Sequence, residues 1–394
     1  MAKRPTVIVA GGGIGGLSAA LGLANKGCDV TVLEQADHFG EIGAGIQIGP
    51  NAFHAMDYLG VGTAARAKAI YIDRLIMMDG VTGTEIAHIP VDAPFRHRFG
   101  NPYAVIHRSD LHGVLLEACR ANGNISLVNK ECVVGYEHTS SGAAVRTAAG
   151  TAFVADAVVG CDGIRSRIRE QLTGGDPLRL SGHVAYRAVL PIEKMPEELR
   201  WNAATLWAGP KCHMVHYPLQ GWKTFNLVAT FQTDVADVGV NEPGNREEIL
   251  SRFGHVVQNA RKLLEIPTEW RRWVLGDREP LENWTDGRVT LLGDAAHPTH
   301  QYFAQGACMA MEDAVSLADQ VERSQGNFGS AFLTYQENRI VRAYRVVLSS
   351  RMLGRVYHAE GVERKIRNSV LGAKSPTEFY DSLQWLYGGT GLAA

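Results

Sequence analysis

The chain of 394 residues balances 39 Lys and Arg against 41 Asp and Glu, a net charge of −2, with 45% apolar and 20% charged residues. That length corresponds to two or three domains at about 150 residues each, and the apolar content excludes a disordered chain. A near-neutral balance leaves no footprint for nucleic acid, and no run of about 20 apolar residues is present to span a membrane.

The first expected element is a strand over TVIVA, residues 6–10, a short β-branched run suited to a buried parallel strand. Lys3 and Arg4 before it give a superficial likeness to a leader peptide, but five glycines (Gly11, Gly12, Gly13, Gly15 and Gly16) break the apolar run. A helix over 17–26 and a second strand over 29–33 (DVTVL) follow, with Gly27 as the helix cap. The pattern is Gly11-x-Gly13-x-x-Gly16 with Glu34 18 residues after the last glycine. Gly11 permits a tight turn, Gly13 lets a pyrophosphate approach the backbone, and Gly16 allows close helix–strand packing. Glu34 is placed to accept hydrogen bonds from an adenosine ribose and opposes a 2′-phosphate, so FAD or NAD is expected rather than NADP.

Two further strand-and-turn units follow. Residues 157–166 (AVVGCDGIRS) run a strand into Asp162-Gly163, and residues 288–298 (RVTLLGDAAHP) run another into Gly293-Asp294. Gln305-Gly306-Ala307 then opens an apolar helix. Asp294 suits the ribityl hydroxyls of a flavin, and the N–H groups of Gly306 and Ala307 suit negative charge on its ring. Between these units, from 182 to 230, the helical period fades into β-rich runs: VAYRAVLPI, TLWAGPKCHMVHYP and TFNLVATFQ. From Gly329 helix returns, with Tyr335, Arg339, Arg342 and Arg345 on one long element. The six cysteines (Cys28, Cys119, Cys132, Cys161, Cys212 and Cys308) form no CxxC and no zinc-ligand spacing, so no metal is expected and a reducing cytoplasm is.

Together these motifs, in order at 11–16, 160–166 and 293–313, resemble the group A flavoprotein monooxygenases, the single-component FAD-dependent aromatic hydroxylases. Residues 43–51 (GAGIQIGPN), 107–112 (HRSDLH) and Tyr335-Gln-Glu-Asn-Arg339 with Arg342 are most similar to the branch of 3-hydroxybenzoate 6-hydroxylases and salicylate hydroxylases. Pro102-Tyr103, Cys212-His213 with Tyr217-Pro218, and His300-Gln301-Tyr302 incline it to the former.

The resemblance implies an α/β architecture. A discontinuous Rossmann-like FAD-binding domain would span 1–75, 100–180 and 275–345. A substrate domain on an antiparallel sheet would span 76–99 and 181–274, and a helical region 346–394. It implies NADH as transient co-substrate and O2, with oxygen delivered from a flavin C4a-hydroperoxide to 3-hydroxybenzoate, giving 2,5-dihydroxybenzoate (gentisate). Salicylate hydroxylation to catechol is the alternative. For the cofactor it implies Gly11, Gly13, Ile14, Gly15, Gly16, Glu34, Gln35, Ala44, Gly45, Gln47, Arg108, Val133, Asp162, Asp294, Gly306 and Ala307. An FAD-dependent oxidase or dehydrogenase, or a non-catalytic FAD-fold binding protein, shares the ribose acid. The pair Asp162-Gly163 and Gly293-Asp294 argues against both.

For the substrate, a phenol with pKa near ~10 needs about 4 kcal/mol of phenolate stabilisation, or a positioned base, at neutral pH. Among the 14 histidines, His213 is the candidate base, with a pKa expected near working pH. In a strand it shares a face with Val215 and Tyr217, ~13 Å away, while Cys212, Met214 and His216 share the other. Gln301 stands where most relatives carry Pro, and is expected to relay the phenol proton to His213 or bond the substrate hydroxyl. Tyr103 and Tyr217 are the carboxylate partners. Arg187 is an alternative one, with a structural salt bridge its expected role. The aromatic end (Phe379, Tyr380, Leu383, Trp385, Leu386 and Tyr387) is expected to be buried on its own domain or on a second copy, and a homodimer is expected. An apolar groove between these helices has the character to hold a lipid.

Overall fold

The computed structural model describes residues 4–40, 43–234 and 239–389. The three residues 1–3, Lys3 among them, the two residues 41–42, the four residues 235–238 and the tail 390–394 lie outside it. Thr6–Ala10 and Asp29–Leu33 form strands as expected, in a six-stranded sheet ordered 285–286, 289–291, 157–160, 6–10, 29–33 and 125–128. All its pairs are parallel except the short first one. The helix expected from Leu17 begins at Ile14, because Gly13 adopts an extended N-cap conformation that lets the turn start directly after it. Gly27, at φ +89°, ends it as read.

Gly11 sits at φ +108°, a conformation closed to most side chains, and a Cβ there would lie 2.3 Å from the Cys161 carbonyl oxygen. A Cβ on Gly16 would lie 1.9 Å from the Gly11 oxygen. The turn therefore closes only with glycine at both positions.

The second large sheet has eight strands, ordered 240–243, 271–277, 179–191, 224–232, 212–219, 203–209, 74–79 and 85–90. It is antiparallel but for the pair 74–79 and 203–209. The run TLWAGPKCHMVHYP divides into Ala203–Gly209 and Cys212–Leu219, turning at Lys211 with φ +58°. Helices Gly306–Arg323, Phe328–Tyr357, Gly361–Gly372 and Pro376–Tyr387 complete the chain. No helix of the described residues is long and apolar enough to cross a membrane.

The two long helices are joined by buried charge. Arg339 bonds Asp313 and Glu312, each at 2.7 Å, and Arg342 bonds both oxygens of Glu312 at 2.7 and 2.8 Å. Arg342 also reaches the carbonyls of Trp385 and Leu386, tying the last helix to the same cluster. Burial alone would raise the Asp313 carboxyl, but the charges of His297 and Arg339 outweigh it and hold it at about 2. Breaking a buried pair strands its partner, at about 3–5 kcal/mol. Arg339→Met should therefore lower the denaturation midpoint by that equivalent, and a loss under ~1 kcal/mol would contradict the arrangement. Because the folded value lies below the unfolded one near ~3.9, the Asp313 contribution is complete at neutral pH and fades as pH falls from about 4 toward 2. Acid titration of stability in wild type and Asp313→Asn should show that difference.

Candidate active site

The nucleotide end is built on the glycine turn. Glu34 ends its strand with Oε2 accepting from the Gly12 amide at 2.8 Å and Oε1 from Ala36 at 2.9 Å, which fixes the carboxylate beside the turn. His112, quoted in the sequence motif without a role, bonds the Gly12 carbonyl at 2.8 Å and braces the turn from behind.

From this turn a cavity of about 770 Å³ runs between the two large sheets. Of the expected cofactor residues, Gly13, Ile14, Gly15, Gly45, Gln47, Arg108, Asp294, Gly306 and Ala307 line it. Gly11 and Gly16 shape the turn, and Glu34, Gln35, Ala44 and Val133 stand off the wall. Asp162 does too: its Oδ2 accepts from the amides of Arg167 and Ile168, and the wall there is Cys161 and Gly163. The bare backbone at Gly13, Gly15 and Gly163, the carboxylate of Asp294, and a helix N-terminus at Gly306 fit a dinucleotide carrying phosphates, a polyol and an electron-accepting ring.

The far wall is the eight-stranded sheet. His213, Val215 and Tyr217 face the cavity from one side of Cys212–Leu219, while Cys212 and Met214 face the apolar core behind it, as the period of two requires. Both rings are buried, with His213 2% and Tyr217 3% exposed. Tyr217 packs on Gly45, where a Cβ would lie 2.4 Å from its ring. Tyr103 also lines the cavity, its hydroxyl donating to Gln47 at 2.7 Å.

Three expectations are corrected. Arg187 forms no salt bridge among the described residues. Its Nη2 donates to Gln301 Oε1 at 2.7 Å and it lines the cavity, where burial and the charge of Arg108 lower it to about 10. Gln301 does not bond His213. Its amide spans Arg187 and the Thr230 hydroxyl, the latter at 2.8 Å. Finally, His213 does not titrate near working pH: burial, then the charge of His183, lowers it to about 3. Its Nδ1 bonds His358 Nε2 at 2.7 Å, leaving Nε2 toward the cavity. His358 was invisible to sequence reasoning, because it lies 145 residues away with no local spacing to mark it.

If Asp294 holds a ribityl chain, Asp294→Ala removes a charge-assisted bond of about 1.5–3 kcal/mol. FAD affinity should then fall roughly ten- to hundredfold, read from recovery of free-flavin fluorescence on dilution. An unchanged dissociation constant would overturn the assignment.

Residues 4–350 match the FAD binding domain family. Over 97% of this chain and 95% of its own length, the 3-hydroxybenzoate 6-hydroxylase of Polaromonas naphthalenivorans (strain CJ2) is 50% identical. The 3-hydroxybenzoate 6-hydroxylase 1 of Aquipseudomonas alcaligenes is 48% identical over 97% of both chains. Among solved structures, Klebsiella pneumoniae HpxO complexed with FAD and uric acid superposes with a TM-score of 0.86 at 25% identity, covering 96% of this chain and 95% of its own. A salicylate hydroxylase substrate complex shares the fold, at a TM-score of 0.84 and 24% identity over 98% and 96% of the two chains. The chain belongs to the FAD binding domain family and is an FAD-dependent aromatic hydroxylase.

Proposed function

We propose that this enzyme hydroxylates 3-hydroxybenzoate para to its hydroxyl, using NADH and O2, to give 2,5-dihydroxybenzoate. The observation that carries the reading is Arg187, a guanidinium without a carboxylate partner among the described residues, on the same cavity wall as His213 and across from the glycine turn and Asp294. An aromatic acid with a ring hydroxyl supplies what each lacks: an anion for Arg187 and a proton for His213. The two relatives named above, 48–50% identical, bear the name of that activity.

Bound FAD, reduced by NADH, supplies the electrons and the activated oxygen. The chain's own residues prepare the ring. Arg187 pairs with the carboxylate, and Tyr217, close enough to feel its charge, stands beside it. Gln301 braces the guanidinium against Thr230. His213 Nε2 accepts the phenolic proton, making the ring electron-rich at the para carbon. Val215 and Leu206 keep water from the ring. Residues 1–75, 100–180 and 275–345 would serve the cofactor, 76–99 and 181–274 the substrate. Six free cysteines support a reducing compartment, the cytoplasm.

Assembly is a further proposal. The aromatic end packs on its own chain, Tyr380 and Tyr387 standing edge-on to Phe95 and Phe99. Exposed apolar residues lie instead along the preceding helices: Val341, Leu348, Met352, Val362, Ile366 and Val370, each more than half exposed. That row supports a homodimer, and Leu371, Phe379 and Leu383 extend the cavity as an apolar groove suited to a lipid chain.

His213→Ala should leave substrate-stimulated NADH consumption intact while product per NADH falls and hydrogen peroxide rises, since losing a base costs about 10²–10⁴-fold in the assisted step. Tight coupling at saturating substrate would overturn the base role. Gln301→Ala should show a milder uncoupling. Arg187→Met should raise KM roughly ten- to hundredfold, the equivalent of a charge-assisted bond of ~1.5–3 kcal/mol. Product identification decides between gentisate and the catechol expected of a salicylate hydroxylase. Light scattering should give twice the 42.8 kDa chain mass, and a monomer at micromolar concentration would exclude the dimer.

A further inference from the structure

Strand Thr224–Gln232 pairs with the cavity strand Cys212–Leu219, and its alternation sorts its residues in the same way. Phe225, Leu227, Ala229 and Phe231 belong to the apolar core, whereas Val228 lines the cavity and Thr230 bonds Gln301. Asn226 shares the face of Val228 and Thr230 and stands in register with Tyr217. It is fully buried, and a buried amide is costly unless its oxygen and its N–H groups find partners.

The oxygen has its partner. Asn226 Oδ1 accepts from the Gly45 amide at 3.0 Å. Gly45 opens the strand Gly45–Ile48, which pairs with Ala104–His107 in a sheet of its own, so this bond joins the substrate wall to a neighbouring sheet. A backbone N–H can only donate, and this fixes the amide's orientation: Oδ1 faces Gly45 and Nδ2 faces away from it. The Tyr217 hydroxyl closes on the same glycine, where a Cβ would lie 2.9 Å from its oxygen. Residues directly opposite on one face of an antiparallel pair have Cβ atoms about 4.5–5.5 Å apart, within reach of each other's side chains. Burial raises the Tyr217 phenol, and the charge of Arg187 and the Asn226 side chain act against it, the effect of a donor beside its oxygen. Nδ2 is sealed from solvent and makes no hydrogen bond of ordinary geometry among the described residues. Hydrogen bonds of this kind are long in the unliganded site and tighten in the complex.

We propose that Asn226 is a specificity-determining residue: by offering Nδ2 to the Tyr217 oxygen it turns the hydroxyl proton of Tyr217 toward the cavity, so that the site selects a hydrogen-bond acceptor, a ring carboxylate, at that point. The inference rests on the reading of the substrate as an aromatic acid held by Arg187 and Tyr217. A phenol has one proton to give. With a donor on its oxygen, that proton is left for the ligand. With an acceptor in Asn226's place, the proton would turn to the protein and a lone pair would face the ligand. A carboxylate only accepts, so it gains most from the first arrangement and is repelled by the second. A carbinol can donate or accept and is indifferent to the direction.

Arg187 supplies the charge that draws an anion, but with Nη2 already donating to Gln301 it does not alone fix where the anion's oxygens lie. The directed Tyr217 proton adds that constraint. Asn226 is thus a positioning residue, acting on the ligand only through Tyr217, and its effect is separable from its hold on Gly45. An asparagine that merely braced the strand Gly45–Ile48 would weaken every ligand of the cavity alike when replaced.

The test reads binding rather than turnover. FAD-loaded, oxidised enzyme is titrated with 3-hydroxybenzoate and, separately, with 3-hydroxybenzyl alcohol, each followed by the perturbed flavin absorbance. Asn226→Asp keeps an acceptor for the Gly45 amide and puts an acceptor where the donor was. It should raise the Kd of the acid at least about tenfold, the equivalent of one charge-assisted bond, with the alcohol's Kd and the flavin content as in wild type. In a Tyr217→Phe background the same substitution should change the acid's Kd by less than about threefold, because the hydroxyl whose direction it sets is gone. An undiminished loss in that background would overturn the proposal, the aspartate then acting by its charge. Wild-type affinity of Asn226→Asp for the acid would overturn it too, as would equal losses for acid and alcohol. The acid's double-mutant cycle decides even where the alcohol binds too weakly to titrate. Should Asn226→Asp fail to retain FAD, Asn226→Leu, which offers no donor, decides by the same cycle: a loss beside Tyr217 that vanishes in Tyr217→Phe supports the proposal, and additive losses overturn it. If Arg187→Met and Tyr217→Phe each bind the acid as tightly as wild type, the carboxylate reading itself falls, and the proposal with it.

Discussion

The loop at Gly293, the helix behind it and the last helix are held together by two arginines on one helix face. Arg339 and Arg342 neutralise Glu312 and Asp313, four charges withdrawn from water and satisfied by one another, by Asn51 and by His297. The carboxylates lie in the second and third turns of the helix whose N-terminus borders the cavity, and Asp313 also accepts from the Gly293 amide at the head of the Asp294 loop. One cluster thus fixes the cavity-lining loop, its helix, and through Arg342 the final turn of the last helix. Such an arrangement favours geometry over stability: apolar replacements of equal volume often serve folding as well, but none would hold a loop amide, a helix and two carbonyls of the last helix in one register.

The division of labour between the sheets follows from their backbones. The parallel sheet offers glycine turns and helix ends, backbone features that recognise phosphate and polyol. The antiparallel sheet offers alternation, so one strand can give His213, Val215 and Tyr217 to the cavity while Cys212 and Met214 seal the core behind them.

What could be read from the sequence divides along the same line. The turn at Gly11–Gly16, its strands and the shared face of His213 and Tyr217 were legible because they depend on spacings within about ten residues. Arg187 was misjudged, since pairing is the usual fate of a buried arginine, and the lack of a carboxylate partner among the described residues is a property of the assembled wall. The basicity of His213 was misjudged for the same reason: the ordinary value belongs to a solvated ring, and only the fold shows that burial and His183 lower it, with no anion bonded to it among the described residues. His358 and His183 lie 145 and 30 residues from His213 in sequence, on elements whose register with the cavity strand is set by tertiary packing. Asp162, legible as a motif, proved to be a clamp on the next turn.

The strand order has a consequence for how the chain is made. Strand 157–160 lies between 6–10 and 289–291, so one of its edges stays open until some 130 further residues have left the ribosome. Strand 74–79 likewise waits for 203–209, its parallel partner. Contacts of such long sequence separation are closed slowly, because loop entropy is spent before any pairing is returned. Both sheets therefore mature together and late in synthesis, and the unpaired edge of 157–160 is the segment on which a nascent-chain chaperone has most reason to act.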